Sequence, residues 1–478
     1  METAMAPEKV DTDRINHIFR EQHNHKPAMV RLTAKERIER IKRIRKAMFD
    51  YREQIEDAMY RDFKKHPTEV AVTELYAVIN DANHTIKHLK QWMGTHKVST
   101  PLNMLGTSGK IKYEPKGNSL IISPWNFPIN LSFGPMISAI SAGNTVILKP
   151  SELTPHSSGI MAQIVADLFP ENEVAVITGG VETSTELLKL KFDHIFFTGS
   201  PKVGKVVMTA AANHLCSVTL ELGGKSPTIV DETANIKRSA KRIAWGKWLN
   251  NGQTCIAPDY IYVHRSKSDE LVAELGKNIK AYYGDDASKS DSYARVVSDG
   301  HTERINGLLE DVKANPQNGE IVFGGITGIE ERYVSPTIVV NPSIDSKLMQ
   351  QEIFGPVLPV LLYDNLDEVI NFINSREKPL VLYMYSNKKS NINKIVNYTS
   401  SGGVLINDSL VHFFHNELPF GGANNSGIGK SHGFYGFQAF SNTKGVLKQT
   451  LPFSAIQLLY PPYTPSVKKW ADIFMKYF

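Results

Sequence analysis

Two cysteines, Cys216 and Cys255, are all that the 478 residues contain. So few cannot form a disulfide framework in a chain of this length, and by themselves they cannot build a thiolate zinc site, so no metal is expected. A reducing compartment suits such usage. Long apolar runs are missing as well, none reaching the ~18 residues of a membrane span. Met1 to Asp13 carry Glu and Asp without an apolar stretch and do not read as a signal peptide. A cytoplasmic protein is therefore expected, with a short peripheral membrane contact as the alternative. Charge of one sign is also lacking. Lys+Arg 54 against Asp+Glu 49 leaves +5, too small a bias to imply nucleic acid, though it mildly favours anionic ligands such as a phosphate-bearing cofactor. There is no internal repeat and no low-complexity linker.

What is present is ordinary globular composition, 41% hydrophobic and 22% charged. A single core rarely grows beyond roughly 250–300 residues, so two or more domains are expected. Thr33 to Lys65 reads as one long amphipathic helix: Thr33 and Glu36 have capping-box spacing, and Ile38, Ile41 and Met48 share a face. From Asn118 onward, short apolar runs (Ser119–Ser123, Thr145–Leu148, Val174–Ile177, His194–Phe197, Val218–Leu220) alternate with helical stretches (Leu131–Ala142, Pro155–Phe169, Thr183–Leu190, Lys202–Leu215). Buried strands separated by helices imply parallel βαβ units and a doubly wound sheet. A second alternating region from about Ser226 to Asp408 offers strands at Thr228–Val230, Tyr260–Val263, Thr337–Val340, Val357–Leu362 and Val404–Ile406, with helices between Asn235 and Trp248 and between Lys267 and Tyr283. The fold class is thus α/β, with two doubly wound Rossmann-like domains. The polar stretch Thr95–Tyr113 has the composition of a hairpin arm leaving the first domain.

Ligands on such sheets bind beyond the carboxyl ends of the strands, and six motifs are expected there. Asn250-Asn251-Gly252-Gln253-Thr254-Cys255 offers a nucleophile, which needs a lowered pKa or a nearby base; a buried core cysteine is the plainer alternative. Glu221-Leu222-Gly223-Gly224 places a carboxylate at a strand end. Shielded there from water it has the character of a general base, and otherwise it is an ion-paired glutamate. Ser123-Pro124-Trp125-Asn126-Phe127-Pro128 sets an amide donor in a turn stiffened by two prolines, suited to an oxyanion hole or simply to an Asx-turn. Phe197-Thr198-Gly199-Ser200-Pro201-Lys202-Val203-Gly204 leads a strand through a glycine turn to a helix start, a geometry that presents free N–H groups to phosphate. Its Gly-x-x-x-x-Gly spacing is neither a dinucleotide fingerprint nor an ATP-type loop. Leu148-Lys149-Pro150-Ser151-Glu152 offers ribose ligands, and Gln351-Glu352-Ile353-Phe354-Gly355-Pro356 adds a carboxylate and an aromatic before a Gly-Pro turn.

Taken together, PWNFP, LKPSE, FTGSPKVGK, LELGGKSP, NGQTC and EIFGP resemble the aldehyde dehydrogenase superfamily from roughly Asp13 to Lys448. NGQTCIAPDY, the short N-terminal region and the long C-terminal tail resemble its class 3 branch, which includes the fatty aldehyde dehydrogenases. The resemblance implies an NAD(P)-dependent oxidation of medium- or long-chain aliphatic or aromatic aldehydes to carboxylic acids. Cys255 attacks the carbonyl to give a thiohemiacetal, Asn126 and the Cys255 N–H hold the oxyanion, hydride leaves for the nicotinamide, and Glu221 activates the water that hydrolyses the thioester. It also places Lys149 and Glu152 near the adenosine ribose, Gly199 and Ser200 by the pyrophosphate with Gly204 in the helix behind, and Glu352 at the nicotinamide ribose. Phe354, Pro124, Trp125 and Leu222 lie around the cofactor. Glu152 would repel a 2′-phosphate and Lys149 would attract one, so NAD is preferred and NADP is the alternative. Cys216, outside every motif, is read as filling core space.

The implied organisation is an NAD(P)-binding domain in 1–94 and 114–221, a catalytic domain in 222–412, oligomerisation or bridging elements in 95–113 and 413–448, and a tail in 449–478. A homodimer is expected, and nucleic acid is not. In the tail, Trp470, Ile473, Phe474 and Tyr477 share a helical face, with Lys468, Lys469 and Lys476 off it. Packing on the body or a partner subunit, roofing a substrate tunnel and lying on a membrane are the three readings. The tunnel itself would be shaped by side chains around Leu131, Trp248, His412 and Phe413. Two other activities remain open: an enzyme that passes the Cys255 thioester to coenzyme A or phosphate, against which Glu221 speaks, and a non-catalytic protein that retains the fold.

Overall fold

The computed structural model describes residues 10–477. The sequence readings of Met1 to Lys9 lie outside that range. A six-stranded sheet runs in the order Gly427–Ile428, Ser217–Leu222, His194–Gly199, Asn118–Ile122, Thr145–Lys149, Val174–Val176. All neighbours are parallel except the short first strand, which pairs antiparallel to Ser217–Leu222 with Gly427 opposite Glu221. Asn118–Ile122 and Thr145–Lys149 are buried along their whole length, as strands covered by helices on both faces must be. The second sheet has seven strands in the order Glu320–Phe323, Thr337–Val340, Val357–Tyr363, Tyr260–His264, Pro227–Val230, Val381–Tyr385, Gly403–Ile406. Only its first strand is antiparallel. Both sheets are doubly wound, as expected.

The third sheet is the arm. His96–Lys97 folds back on Thr107–Pro115, which pairs along its full length with Ser441–Gln449. The hairpin was legible in the sequence; its third strand, arriving from more than 300 residues away, was not.

Three expectations need correction. The helix read from Thr33 to Lys65 is two helices, Ala34–Asp50 and Arg52–Phe63, broken at Tyr51, where ψ swings to 12°. The capping box at its start is present: Thr33 N–H donates to Glu36 Oε2 at 2.7 Å. The strand Val381–Tyr385 went unread although all five residues are buried, because the continuous apolar run Val-Leu-Tyr-Met-Tyr has no alternation to set it apart from a buried helix, even with Pro379 before it and Ser386-Asn387 after it. Not every motif ends a strand, either. Those at Ser123, Lys149, Gly199 and Glu221 do, whereas Cys255 follows a 3-10 turn and Glu352 precedes the strand Val357–Tyr363.

The tail forms the helix Pro465–Tyr477, which packs on Ala455–Leu459 and buries no residue fully. Among the described residues no helix is long and apolar enough to cross a membrane.

Candidate active site

The carboxyl ends of the first sheet face the loop that carries Cys255, and a cavity of about 260 Å³ lies between them. Of the residues singled out above, Pro124, Trp125, Asn126, Gly199, Ser200, Glu221, Leu222, Cys255, Glu352 and Phe354 line it. Lys149, Glu152 and Gly204 do not. A smaller space of about 50 Å³, lined by Thr73, Phe127, Trp245, Leu249 and Leu410, also reaches Cys255. The thiol therefore sits where two cavities meet. Of the predicted tunnel side chains, Leu131 and Phe413 line both. Trp248 instead is buried and donates its indole N–H to Pro356 O at 2.9 Å. Trp245, one turn earlier, takes the position expected of it.

The Cys255 loop is held by its own side chains. Asn250, Asn251 and Gly252 all have positive φ (51°, 55° and 72°). At Gly252 a Cβ would also come within 2.3 Å of Gly355 O, so glycine is required there. The Gln253 amide donates to Asn250 O and Arg295 O at 3.0 Å and accepts from Val297 N–H at 2.9 Å. That satisfies both ends of a fully buried polar group. Asn126 is tied to the same loop: its Nδ2 donates to Gln253 O at 3.0 Å, and its own carbonyl accepts from Asn250 Nδ2 at 2.8 Å. One amide hydrogen of Asn126 thus remains for a ligand.

Beneath Asn126 lies a pair that sequence reasoning missed. Lys65 and Glu74, both fully buried, face each other at 3.4 Å. Lys65 Nζ also donates to Asn126 O at 3.3 Å, and Glu74 Oε2 accepts from Asn130 N–H at 2.8 Å. The Lys65 ammonium lies over the Phe127 ring at 4.6 Å. Nothing local in the sequence marked these residues, since the groups they support, Asn126 O and Asn130 N–H, lie 61 and 56 positions on.

Burial raises the Glu221 carboxyl to about 8, against the opposing effects of its Ser431 hydrogen bond and of Lys430. Ser431 Oγ donates to Oε1 at 2.8 Å, while Oε2 has no partner. A buried carboxylate of raised pKa, with one oxygen unpartnered, on a residue that lines the cavity is the setting of a general base. Of the two aids that a nucleophile at Cys255 requires, a lowered pKa or a nearby base, the first is not met. Burial first, then the Glu352 and Glu221 carboxylates, push its thiol up to about 12 rather than down. No cation or helix start lowers it, so activation falls to a base that takes its proton.

Glu352 is likewise pushed up to about 8 by burial and then by Asp259, with the Gly224 N–H, Lys225 and Arg304 opposing. A side chain at position 223 would put a Cβ 2.3 Å from Glu352 Oε2, so Gly223 makes room for that carboxylate. Its loop is pinned from behind: Lys225 Nζ donates to Leu348 O at 2.7 Å and Gln351 O at 3.0 Å, and Arg304 donates to Ile353 O at 2.6 Å. Phe354 meets Trp125 edge-on, with centroids 5.3 Å apart. Ser200 caps the helix Pro201–Ala212, and a Cβ on Gly204 would strike Leu222 at 2.7 Å, so the close fit of helix and strand depends on that glycine. Lys149 pairs with Glu152 at 2.7 Å. Cys216 is half-buried at the edge of the core behind the sheet, and its thiol is raised to about 11 by burial.

A family model described as "Aldehyde dehydrogenase family" matches residues 2–446. The chain is 45% identical over 433 residues to 4,4'-diaponeurosporen-aldehyde dehydrogenase of Staphylococcus aureus, covering 90% of this chain and 93% of that protein. To the aldehyde dehydrogenase named "dimeric NADP-preferring" of Rattus norvegicus it is 42% identical over 427 residues, 89% and 93% of the two chains. Its relatives include members of aldehyde dehydrogenase family 3. The substrate-bound structure of Staphylococcus aureus AldH superposes with a TM-score of 0.92 at 42% identity, covering 97% of this chain and 99% of that one.

Proposed function

The chain belongs to the aldehyde dehydrogenase family, an oxidoreductase family that uses NAD(P), and from that premise we propose that it oxidises medium- and long-chain aliphatic or aromatic aldehydes to acids through a covalent adduct on Cys255. The observation that carries this reading is the meeting of Cys255, Asn126 and Glu221 on one largely apolar cavity. Cys255 Sγ bonds to the carbonyl carbon. The oxygen that becomes anionic is held by the free Asn126 amide hydrogen and the Cys255 N–H, each such donor contributing about 2.7–4 kcal/mol in comparable sites. Glu221 Oε2 takes the proton that leaves the Cys255 thiol and passes it on to solvent; ionised again, it takes a proton from the water that attacks the thioester and releases the acid, the thiol departing from the carbonyl carbon.

The residues fit a dinucleotide. Gly223 leaves space beside Glu352, and the capped start of Pro201–Ala212 opens beside Gly199 and Ser200. In this reading Gly199 and Ser200 hold the pyrophosphate, Glu352 the nicotinamide ribose, and Lys149 and Glu152 the adenosine ribose. Pro124, Trp125, Leu222 and Phe354 form the walls, and Gly204 keeps the helix close. When bound, the nicotinamide supplies the hydride acceptor. Glu152 pairs with Lys149 and in this reading would repel a 2′-phosphate that Lys149 would otherwise attract, so NAD is the preferred cofactor. Glu152→Gln is expected to raise the NADP/NAD ratio of kcat/KM, and an unchanged ratio would contradict that placement.

A homodimer is part of the proposal. Ser441–Gln449 is an edge strand with an open side, and Leu447 and Phe453 beyond it are 60% and 61% exposed, a surface that a second copy would cover. Both cysteines are free, in keeping with a reducing compartment such as the cytoplasm. Of the three readings of the tail, packing on the body or a partner subunit is preferred, because no residue of the described tail lines either cavity.

The test is NADH formation over aldehydes from acetaldehyde to hexadecanal, beside Cys255→Ala. Activity that rises with chain length and falls by about 10³-fold or more in the variant is expected. Activity retained in the variant would sink the covalent route, and activity confined to the shortest aldehydes would sink the substrate class.

A further inference from the structure

Outside the reacting centre, the helix Tyr76–Trp92 carries a stripe of Asn80, His84 and His88, each four residues from the last. The loop that follows Val411–Phe414 lies along this stripe. Asn80 Nδ2 donates to Phe414 O at 2.9 Å, and Asn416 Nδ2 donates to Asn80 O at 3.2 Å. One residue further on, Glu417 Oε1 lies 3.6 Å from His84 Nε2 and 3.9 Å from His88 Nδ1. The three ligand atoms all lie within 4.8 Å of one another. The two imidazoles stand edge-to-face with centroids 4.4 Å apart, so their nitrogens converge on the carboxylate instead of stacking away from it.

We propose that His84, His88 and Glu417 form a binding site for a divalent first-row transition ion such as Zn²⁺, and that the bound ion staples the loop wall of the cavity to the helix beneath it. Two imidazole nitrogens and a carboxylate oxygen suit such an ion rather than Mg²⁺ or Ca²⁺. Tetrahedral Zn²⁺ with bonds of about 2.0–2.1 Å needs ligand atoms about 3.4 Å apart, so the two measured gaps to Glu417 close by half an ångström or less. Both histidines are fixed on one helix and only partly exposed (14% and 24%), whereas Glu417 is 66% exposed and free to adjust. The fourth position falls to water or to His415, which is near enough to act on His84 electrostatically; Lys87, which also acts on His84, opposes the ion. Phe413, Phe414 and Asn416, on the stapled loop, all line the large cavity. An ion at Glu417 would therefore stiffen the wall that an aldehyde chain lies against, without touching Cys255 or Glu221.

The test uses the full chain with Cys255→Ser, so that the reactive thiol cannot bind the ion. Zn²⁺ titrated calorimetrically near neutral pH is expected to fill one site per chain, and His84→Asn or His88→Asn to weaken it by about 10-fold or more. Metal-free thermal transitions of the variants establish that they fold. Should a histidine variant fail to fold, Glu417→Gln at the exposed position gives the same reading. Backbone hydrogen exchange across 411–418 should slow on adding Zn²⁺ in the parent and not in Glu417→Gln. No binding by the parent, or equal binding by the His84→Asn/His88→Asn double variant, would overturn the site. Binding with no change in exchange would overturn the staple.

Discussion

At the reacting end of the cavity, directional hydrogen bonds hold the framework, although Glu221 Oε2 and the side-chain oxygens of Asn250, Asn251 and Thr254 have no partner. Gln253 makes three hydrogen bonds to backbone, Asn126 is held from both sides by the Cys255 loop, and Lys225 and Arg304 fasten the backbone beneath Glu352. At what the proposed substrate path makes its outer end, where Phe413, Phe420 and His432 meet, the side-chain contacts are ring against ring: Phe420 and His432 stack at 4.7 Å, and Phe413 meets both edge-on. The first end is fixed by directional bonds to a backbone that side-chain exchange cannot easily move. The second is shaped by the side chains themselves. The contrast teaches that chemistry and substrate choice can vary separately on this framework, because different forces hold them.

The largest expected break in the comparison is Asn126→Ala. It removes the proposed oxyanion donor and the tie to Gln253, and kcat should fall by about 10²–10³-fold with KM little changed. A loss seen only in KM would mean that Asn126 binds ground-state substrate.

Glu221→Gln sharpens the reacting end next. A base raised to about 8 is increasingly ionised as pH climbs through that value, so hydrolysis should rise with pH in the parent and lose that limb in the variant. Stability should move the opposite way. The folded pKa lies above the unfolded value of about 4.3, so the contribution of Glu221 is fully present below the latter and is lost as pH rises toward 8. Glu221→Gln should therefore raise Tm relative to the parent most at alkaline pH, and an equal difference at all pH values would remove Glu221 as the titrating group.

Gly252→Ala tests the backbone. A Cβ facing Gly355 O at 2.3 Å, at φ 72°, should cost about 1–3 kcal/mol in denaturant unfolding. An unchanged midpoint would mean that the loop relaxes freely.

The smallest effect belongs to the outer end. Phe413→Ala should leave acetaldehyde oxidation near the parent value while lowering kcat/KM for long aldehydes by about 10-fold, the scale of lost apolar contact in a pocket. Equal losses for short and long aldehydes would make the outer end part of the chemical machinery.

Much of the reacting end was readable from the chain alone. Cys255, Glu221 and Asn126 sit in short motifs whose residue types carry their chemistry, and the parallel sheets follow from buried runs alternating with helices. The pKa of Cys255 was not readable. The motif left open a lowered value or a nearby base, and the value depends on how deeply the thiol is buried and on Glu352 and Glu221, which come from two other loops. Nor could Lys149 and Glu152 be separated from the cavity-lining residues by their place at a strand end.

By itself the sequence determined most strands of the two large sheets, the motif residues and the turns in which they sit, because these depend on neighbours a few positions away. Only the tertiary structure decided that Ser431 donates to Glu221, that Lys65 and Glu74 support Asn126, that Ser441–Gln449 completes the arm, and that Glu417 faces His84 and His88. Each of these joins residues that are far apart in the chain or belong to different elements, and local patterns carry no information about such meetings. They arise when two sheets and the loops between them pack and leave buried polar groups to be paired across the interface.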